Sequence, residues 1–376
     1  AVFEPQTLFD LFPEDAKNCP TLKTPVAKDD LYWLISNNKS IKIPSWLMPK
    51  SLHNKGNFII SLGELCQWIS EKAMELGVDI FPGFPAQNYL TDKSGRVIGI
   101  ATGDMGIDKE GNQKGTYTPG MDILAKQTIF AEGARGHLGK RLIKEFNLDK
   151  GKTPQHFAIG FKEVWEVDND KHSPGDVVHS MGWPLKGGMS GGGFLYHFEN
   201  NRIAVGLIID LNYSNPSHNT FQEFQQFKQH PSIKQYLESG KRVSYGARAI
   251  TKGGINSLVK MEFDGGMIVG CDAGTLNPSK IKGSHCALQS GILAAEYVNK
   301  VLLEENCDFD DLFKNSTLYK ELYESRNFSA AMHKFGFYLG AMYNFIESNI
   351  FQNKLPFTIK DENRDCDSLS LSKASP

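Results

Sequence analysis

Apolar residues recur at helical spacing in one early segment. Leu62, Leu65, Cys66, Ile69, Ala73 and Leu76 fall three and four positions apart, which predicts an amphipathic helix that Gly77 ends. Val78-Asp79-Ile80-Phe81 follows as an expected strand. From Val97 the pattern shifts to short alternating runs broken at Ser94-Gly95, Asp108 and Glu110-Gly111. That predicts an antiparallel meander closing in a strand over 122–130. Ile203 to Ile209 reads as a buried strand, Phe221, Phe224 and Phe227 as a helix face, and Gly266 to Gly270 as a strand. The run from Cys286 to Leu302 reads as a helix. Helix and strand signals alternate at both ends and strands dominate the middle, so the expected fold is mixed α/β.

Residues 1–55 carry prolines at 5, 13, 20, 25, 44 and 49 and show no regular period. Past residue 303 the chain reads as helical, then polar from Lys360 to Pro376, as a linker or frayed end would be. No internal repeat or low-complexity tract is present. With 376 residues, two or three domains are expected.

Composition narrows the functional class mostly by exclusion. Forty-one basic against 43 acidic residues give a net charge of −2, which offers no footprint for nucleic acid. The six cysteines form no C-x-x-C pair, so neither a zinc ribbon nor an iron–sulfur ligand run is encoded, and scattered thiols suit a reducing compartment. Residues 1–20 lack the apolar core of a signal peptide. The longest uncharged apolar run, Phe335 to Ile346, has twelve residues, well short of the ~20 that cross a bilayer. The 36 glycines are the informative bias, because clustered glycine brings backbone close to a ligand.

One cluster is Gly265-Gly266-Met267-Ile268-Val269-Gly270-Cys271-Asp272-Ala273-Gly274, followed by Lys282-Gly283-Ser284-His285. A buried strand would present Asp272 to ribityl or ribose hydroxyls. The helix opening at Gly283–His285 would offer free N–H groups to an electron-rich ligand edge. The same pattern also fits a plain strand–turn–helix joint. The turn Ala131-Glu132-Gly133-x-x-Gly136 is a second acid–glycine delivery of the flavoprotein kind, common when taken alone. No G-x-G-x-x-G with its downstream acid occurs, and 1–12 does not read as a first Rossmann strand.

The second cluster is Gly182-Trp183-Pro184-Leu185 with Gly191-Gly192-Gly193-Phe194-Leu195-Tyr196-His197. Three bare residues beside aromatics suit a flat apolar ligand and equally a glycine-rich turn, while His197 on an apolar strand reads first as a core histidine. Aromatic-rich segments at Tyr32, Trp33, Trp46, Leu47 and Met48, and at Phe335, Phe337, Tyr338, Leu339, Met342, Tyr343 and Phe345, are flanked by Lys39, Lys42, Lys50, Lys334 and Lys354. That is the composition of a monotopic membrane patch, or of an interdomain contact.

In this order, the motifs resemble one family over nearly the whole chain, about 8–366: the electron-transfer flavoprotein–ubiquinone oxidoreductases. The carriers are Gly56-Asn-Phe-Ile-Ile-Ser-Leu-Gly, Thr128-Ile-Phe-Ala-Glu-Gly, Gly182-Trp-Pro-Leu, Gly191-Gly-x-Phe-Leu-Tyr-His, Tyr245-Gly-Ala-Arg-Ala, Lys280-Ile-Lys-Gly-Ser-His and Ser290-Gly-Ile-Leu-Ala-Ala-Glu. The resemblance implies a membrane-associated flavoprotein that binds FAD, ubiquinone and a [4Fe–4S] cluster and passes electrons from reduced electron-transfer flavoprotein to ubiquinone. Its membrane would be the matrix side of the inner mitochondrial membrane in a eukaryote and the cytoplasmic membrane in a bacterium. It implies an FAD-binding, doubly wound domain (56–155 and 253–302) interrupted by a mixed-sheet ubiquinone domain (156–252). Residues 1–55 would be a membrane-dipping, quinone-side segment and 303–376 a helical membrane-facing region with a linker.

Around FAD the resemblance places Glu132, Gly133, Asp272, Gly274, Gly283, Ser284 and His285, and at ubiquinone Gly191 and Gly192. The dinucleotide motif and the cluster ligands of that family are expected outside this sequence. Ser61 departs from the family pattern, in which the resemblance implies an Arg at a possible phosphate contact. Protons for the quinol are expected through Tyr196 or His197. Two other readings compete: a flavin-dependent reductase of the geranylgeranyl-reductase type, and a cofactor-free membrane-binding module.

Overall fold

The computed structural model describes residues 1–185 and 189–370, and only the backbone of Phe337. Its largest element is a seven-stranded sheet. The strand order is Lys241–Thr251, Phe157–Glu166, Arg202–Asp210, Gly191–Phe198, Asp176–Gly182, Lys28–Leu34 and Ser40–Ile43. Neighbours run antiparallel except Asp176–Gly182 with Lys28–Leu34, which are parallel. Alternation along the strands sets two faces. Leu195, Ile203, Val205, Leu207 and Ile209 point to one of them, where Phe224, Phe227, Ile233 and Leu237 of the helices Thr220–Gln229 and Pro231–Leu237 close an apolar core.

The two last strands of the sheet come from the proline-rich opening, which the sequence leaves irregular. Lys28–Leu34 does not alternate cleanly, because Asp30 and Leu31 are both buried beside each other at this edge.

A second core forms around a small sheet in which Thr128–Phe130 pairs in parallel with Gly266–Ile268, and that strand antiparallel with Glu262–Phe263. Strands distant in sequence are therefore neighbours, with five of the seven strands of the large sheet built from the chain between them. The expected strand over 122–130 is two strands. Asp122–Leu124 pairs with Val97–Thr102, and Thr128–Phe130 turns into the other sheet.

The helix Leu62–Glu75 forms as its spacing predicts, with Ser61 as N-cap accepting from Glu64 N and Gly77 at φ +84°. It buries Leu65 and Trp68 against Phe3, Leu8 and Ile60. Val78 to Phe81 is not a strand: no strand among the described residues offers it a ladder, and Phe81 is 65% exposed.

The C-terminal region is helical, and its longest element, Phe328–Asn349, is a hairpin of two helices. Gly336, at φ 72° and ψ 178°, turns the chain back. The arms touch closely: a Cβ on Gly340 would lie 2.7 Å from Met332 Cα. Residues 360–370 run back across the protein, with Ser370 N bonded to Ser214 O, and the expected frayed end 371–376 lies outside the described residues.

Candidate functional site

The strand Thr128–Phe130 delivers Glu132 to the start of the helix His137–Glu145. There Glu132 Oε2 accepts from Leu138 N at 2.9 Å and Gly139 N at 2.7 Å, and Oε1 lies 2.9 Å from His137 Nδ1. Glu132 thus caps this helix, a role that its carboxylate fills through the unpaired N–H groups of the first turn. Gly133 makes the turn at φ +83°.

Asp272 packs against the same helix. Gly139 permits it: a Cβ there would sit 2.3 Å from Asp272 Oδ1. Asp272 is 7% exposed, and its Oδ2 has no hydrogen-bond partner. Burial first, and then the charge of Glu132, push its pKa up to about 6. Asp272 opens on a cavity of about 360 Å³ shared with Arg135, Thr153, Gln155, Phe157 and Thr251. The Arg135 guanidinium lies 5.1 Å from the Phe157 ring centroid, so the cavity combines a cation, hydroxyls, an apolar wall and an unsatisfied acceptor.

The other expected flavin residues divide. Gly274, at φ +98°, ends the short helix Gly270–Ala273, and the space before it is filled by Gln155 Nε2 at 2.5 Å from its Cβ position. Gly283 faces the Leu276 side chain at 3.2 Å, and Ser284 opens the helix Ser284–Leu302 without capping it. His285 is buried in a separate network. Its Nε2 lies 2.8 Å from Glu321 Oε1, and Glu321 also meets Asn277 Nδ2 at 2.8 Å and Lys280 Nζ at 3.1 Å. Burial would raise the Glu321 pKa, yet His285 and Lys280 bring it down to about 2.

The glycine run lies at the centre of the large sheet. Gly191, at φ +150°, faces Ile208 O and Leu185 Cδ1, and Gly193 lies under the Phe227 ring. Gly192 points to the opposite face, where, among the described residues, only Ser180 O, 2.8 Å from its Cβ position, lies near. Across the sheet it pairs with Ile208, which in turn pairs with Gly160, so two bare positions flank one isoleucine on that face. Along the same face, Tyr196 OH lies 3.0 Å from His179 Nε2, and the Phe194 and Tyr196 rings stack at 4.7 Å. Burial lowers the His179 pKa to about 3, helped by Lys282. Sequence reading missed His179 because a lone histidine on a strand has no spacing signal. His197 sits on the core side, accepting from Ser173 N at 3.1 Å.

Past the end of this face, the two aromatic segments meet. Trp46 is 77% exposed, and Ile35 and Ile41 are half exposed on the sheet edge; Phe335, Tyr338, Leu339 and Met342 are exposed around the hairpin turn. Of the expected patch, Met48 is buried instead, and the Phe337 side chain lies outside the described residues. No described helix is long and apolar enough to cross a membrane.

Comparison with known structures finds the same fold in other proteins. The chain superposes on a geranylgeranyl bacteriochlorophyll reductase-like protein from Thermoplasma acidophilum with a TM-score of 0.58 and 14% identity, covering 90% of this chain and 84% of that one. A flavin-dependent brominase, Bmp2, gives 0.54 and 14%, covering 92% and 78%. At these identities the likeness defines the fold class alone.

Sequence comparison goes further. A family model described as ETF-QO, ubiquinone-binding, matches residues 157–250. The electron transfer flavoprotein-ubiquinone oxidoreductase of Pseudomonas aeruginosa is 54% identical, over 100% of this chain and 70% of its own length. The mitochondrial protein of that name from Arabidopsis thaliana is 43% identical, over 99% of this chain and 58% of its own. This chain belongs to the electron transfer flavoprotein-ubiquinone oxidoreductase family, a family of oxidoreductases.

Proposed function

We propose that this chain carries the flavin and quinone sites of a membrane-associated enzyme that passes electrons from reduced electron-transfer flavoprotein to ubiquinone through FAD. The observation that carries the reading is positional. The ubiquinone-binding match covers the five strands from 157 to 250, and the face bearing Gly192 ends beside the exposed aromatic patch. A quinone held by lipid needs an entrance there, and an apolar, Trp-rich surface flanked by lysines suits a bilayer interface. The membrane would be mitochondrial in a eukaryotic source, as the relatives' names have it, and cytoplasmic in a bacterium.

The residues fit FAD at the Asp272 cavity. An unpartnered, buried carboxylate oxygen needs a donor, which ribityl hydroxyls supply, and Arg135 suits an anionic group. When bound, the flavin supplies the redox chemistry. The chain's own part is placement: Glu132 fixes the helix against which Asp272 rests, and Gly139 keeps them in contact. Gly192 leaves bare backbone for a ring, and the Tyr196–His179 pair is a buried hydrogen-bonded route by which a proton could be relayed on the same face. The residues do not fit a [4Fe–4S] cluster, since no potential ligand group among the described residues holds more than one cysteine. The domain division we propose is a quinone domain over 156–252, extended by the strands of 28–43, inserted into a flavin domain of 56–155 and 253–302.

The test is flavin content and quinone reduction in the purified protein. Gly192→Val places a branched side chain against Ser180 O and is expected to cut quinone reduction at least about tenfold while flavin absorbance stays. Reduction of quinone unchanged in that variant overturns the quinone assignment; reduction of an isoprenoid instead of quinone supports the reductase reading.

A further inference from the structure

Three distant segments converge outside both sites. His156 immediately precedes the strand Phe157–Glu166, His333 lies in the first hairpin arm, and Asp361 lies in the stretch that returns across the protein. Their donor atoms lie within 4.8 Å of one another. Asp361 Oδ2 is 2.8 Å from His333 Nδ1 and 3.2 Å from His156 Nε2, and the two rings meet edge to face at 4.6 Å.

Hydrogen bonding alone leaves this cluster incomplete. His156 is 5% exposed, and its Nε2 has no hydrogen-bond partner, because the nearby Asp361 oxygen lies off the axis that such a bond needs. Its other nitrogen is fixed: Nδ1 lies 2.7 Å from Asp365 Oδ1, and Asp365 Oδ2 accepts from Phe157 N at 2.8 Å. A carboxylate on one imidazole nitrogen sets the tautomer and presents the other nitrogen as a lone pair, the usual support of a metal-bound histidine. Asp361 is oriented likewise, its Oδ1 accepting from Asn363 N at 3.2 Å, so that Oδ2 faces both rings. Burial would lower the His156 pKa, yet the carboxylates of Asp361 and Asp365 flank the rings with two negative charges and lift it to about 9 when only a proton answers them. A divalent cation would balance the same two charges in its place.

We infer that His156, His333 and Asp361 form a zinc-type metal site, with Asp365 as its positioning residue. Tetrahedral bonds of ~2.0–2.1 Å set ligand atoms about 3.3 Å apart, so the two Asp361 contacts of 2.8 and 3.2 Å need to lengthen by only a few tenths of an ångström. The two ring nitrogens already lie within 4.8 Å of each other. The fourth position would take water. The ion has no redox role; it ties the membrane-side hairpin and the returning segment to the first strand of the seven-stranded sheet.

The protein, stripped with a chelator, is titrated with ZnCl₂ and, separately, with CoCl₂. Wild type is expected to hold one more equivalent of zinc than His333→Gln, with a Kd below about 1 μM, and to develop the visible d–d bands of tetrahedral cobalt. Asp365→Asn should retain the ligands and weaken binding about 10- to 100-fold. Absence of cobalt bands in wild type overturns the site whether or not the variants fold. Equal zinc content in wild type and variant does the same, and the cluster is then an imidazolium held between two carboxylates.

Discussion

The indole of Trp33 and the ring of Tyr338 lie 5.8 Å apart, tilted at 59°, and join the strand Lys28–Leu34, next to the edge of the seven-stranded sheet, to the turn of the C-terminal hairpin. Trp33 also covers Gly182, whose Cβ position is 2.8 Å from Trp33 Cδ1. The exposed aromatic surface and the sheet that matches the ubiquinone-binding family are therefore continuous, and neither segment alone makes the surface.

That continuity predicts membrane binding. Replacing Trp46 and Leu339 by Glu removes two exposed apolar side chains, each contributing about 1.5–3 kcal/mol when buried in lipid. Sedimentation with vesicles should show affinity lowered at least about tenfold, while the melting temperature barely moves because neither side chain is packed. Undiminished vesicle binding would remove the patch from the account.

The hairpin turn rests on one residue. Gly336 has φ 72° and ψ 178°, a region that is essentially glycine-only, and among the described residues beyond its chain neighbours no atom lies within 4 Å of its Cβ position. Gly336→Ala therefore adds backbone strain and no clash, at a cost of about 1–3 kcal/mol. Hydrogen exchange should show the arms opening more readily, with protection in the central sheet unchanged.

These residues show what sequence could and could not reveal. The helix Leu62–Glu75 was legible because its apolar face repeats locally. The turn at Gly336 was not, since a glycine inside an apolar run reads the same in a straight helix and in a hairpin; only packing of Gly340 on Met332 decides. Strands depended on partners: Val78 to Phe81 has strand composition and no ladder, whereas Lys28–Leu34 has a ladder and poor alternation. At the candidate site, Glu132 and Asp272 were legible as acids at strand ends. The contact of His285 with Glu321 was not legible, because Glu321 comes from a helix that no motif connects to it.

Glu321 carries the next expectation. Its pKa of about 2 lies below the usual 4.5, so its contribution to stability is complete above pH 4.5 and is lost as pH falls toward 2. Glu321→Gln leaves buried His285 and Lys280 without their carboxylate, at a cost of about 3 kcal/mol near pH 7. Urea unfolding should show that deficit at pH 7, shrinking toward pH 2–3. A deficit independent of pH would mean that the carboxylate matters by shape alone.

Asp272 behaves in the opposite sense, and this separates function from stability. Its pKa of about 6 exceeds the usual 3.8, so ionisation is disfavoured in the folded protein. The wild-type protein without flavin loses stability as pH rises from about 4 to about 6, and above that carries a constant penalty of about 2–3 kcal/mol. Asp272→Asn removes the charge beside Glu132 and should raise the melting temperature of the flavin-free protein at pH 7, with no gain at pH 4. A neutral amide accepts a ribityl hydroxyl more weakly than a carboxylate does, so the same variant should bind FAD at least about tenfold less tightly. A buried acid kept at a cost to folding is one that a ligand relieves. If the variant were less stable at pH 7 and bound flavin as wild type does, Asp272 would be a structural acid, and the cavity before it would have no claim on the cofactor.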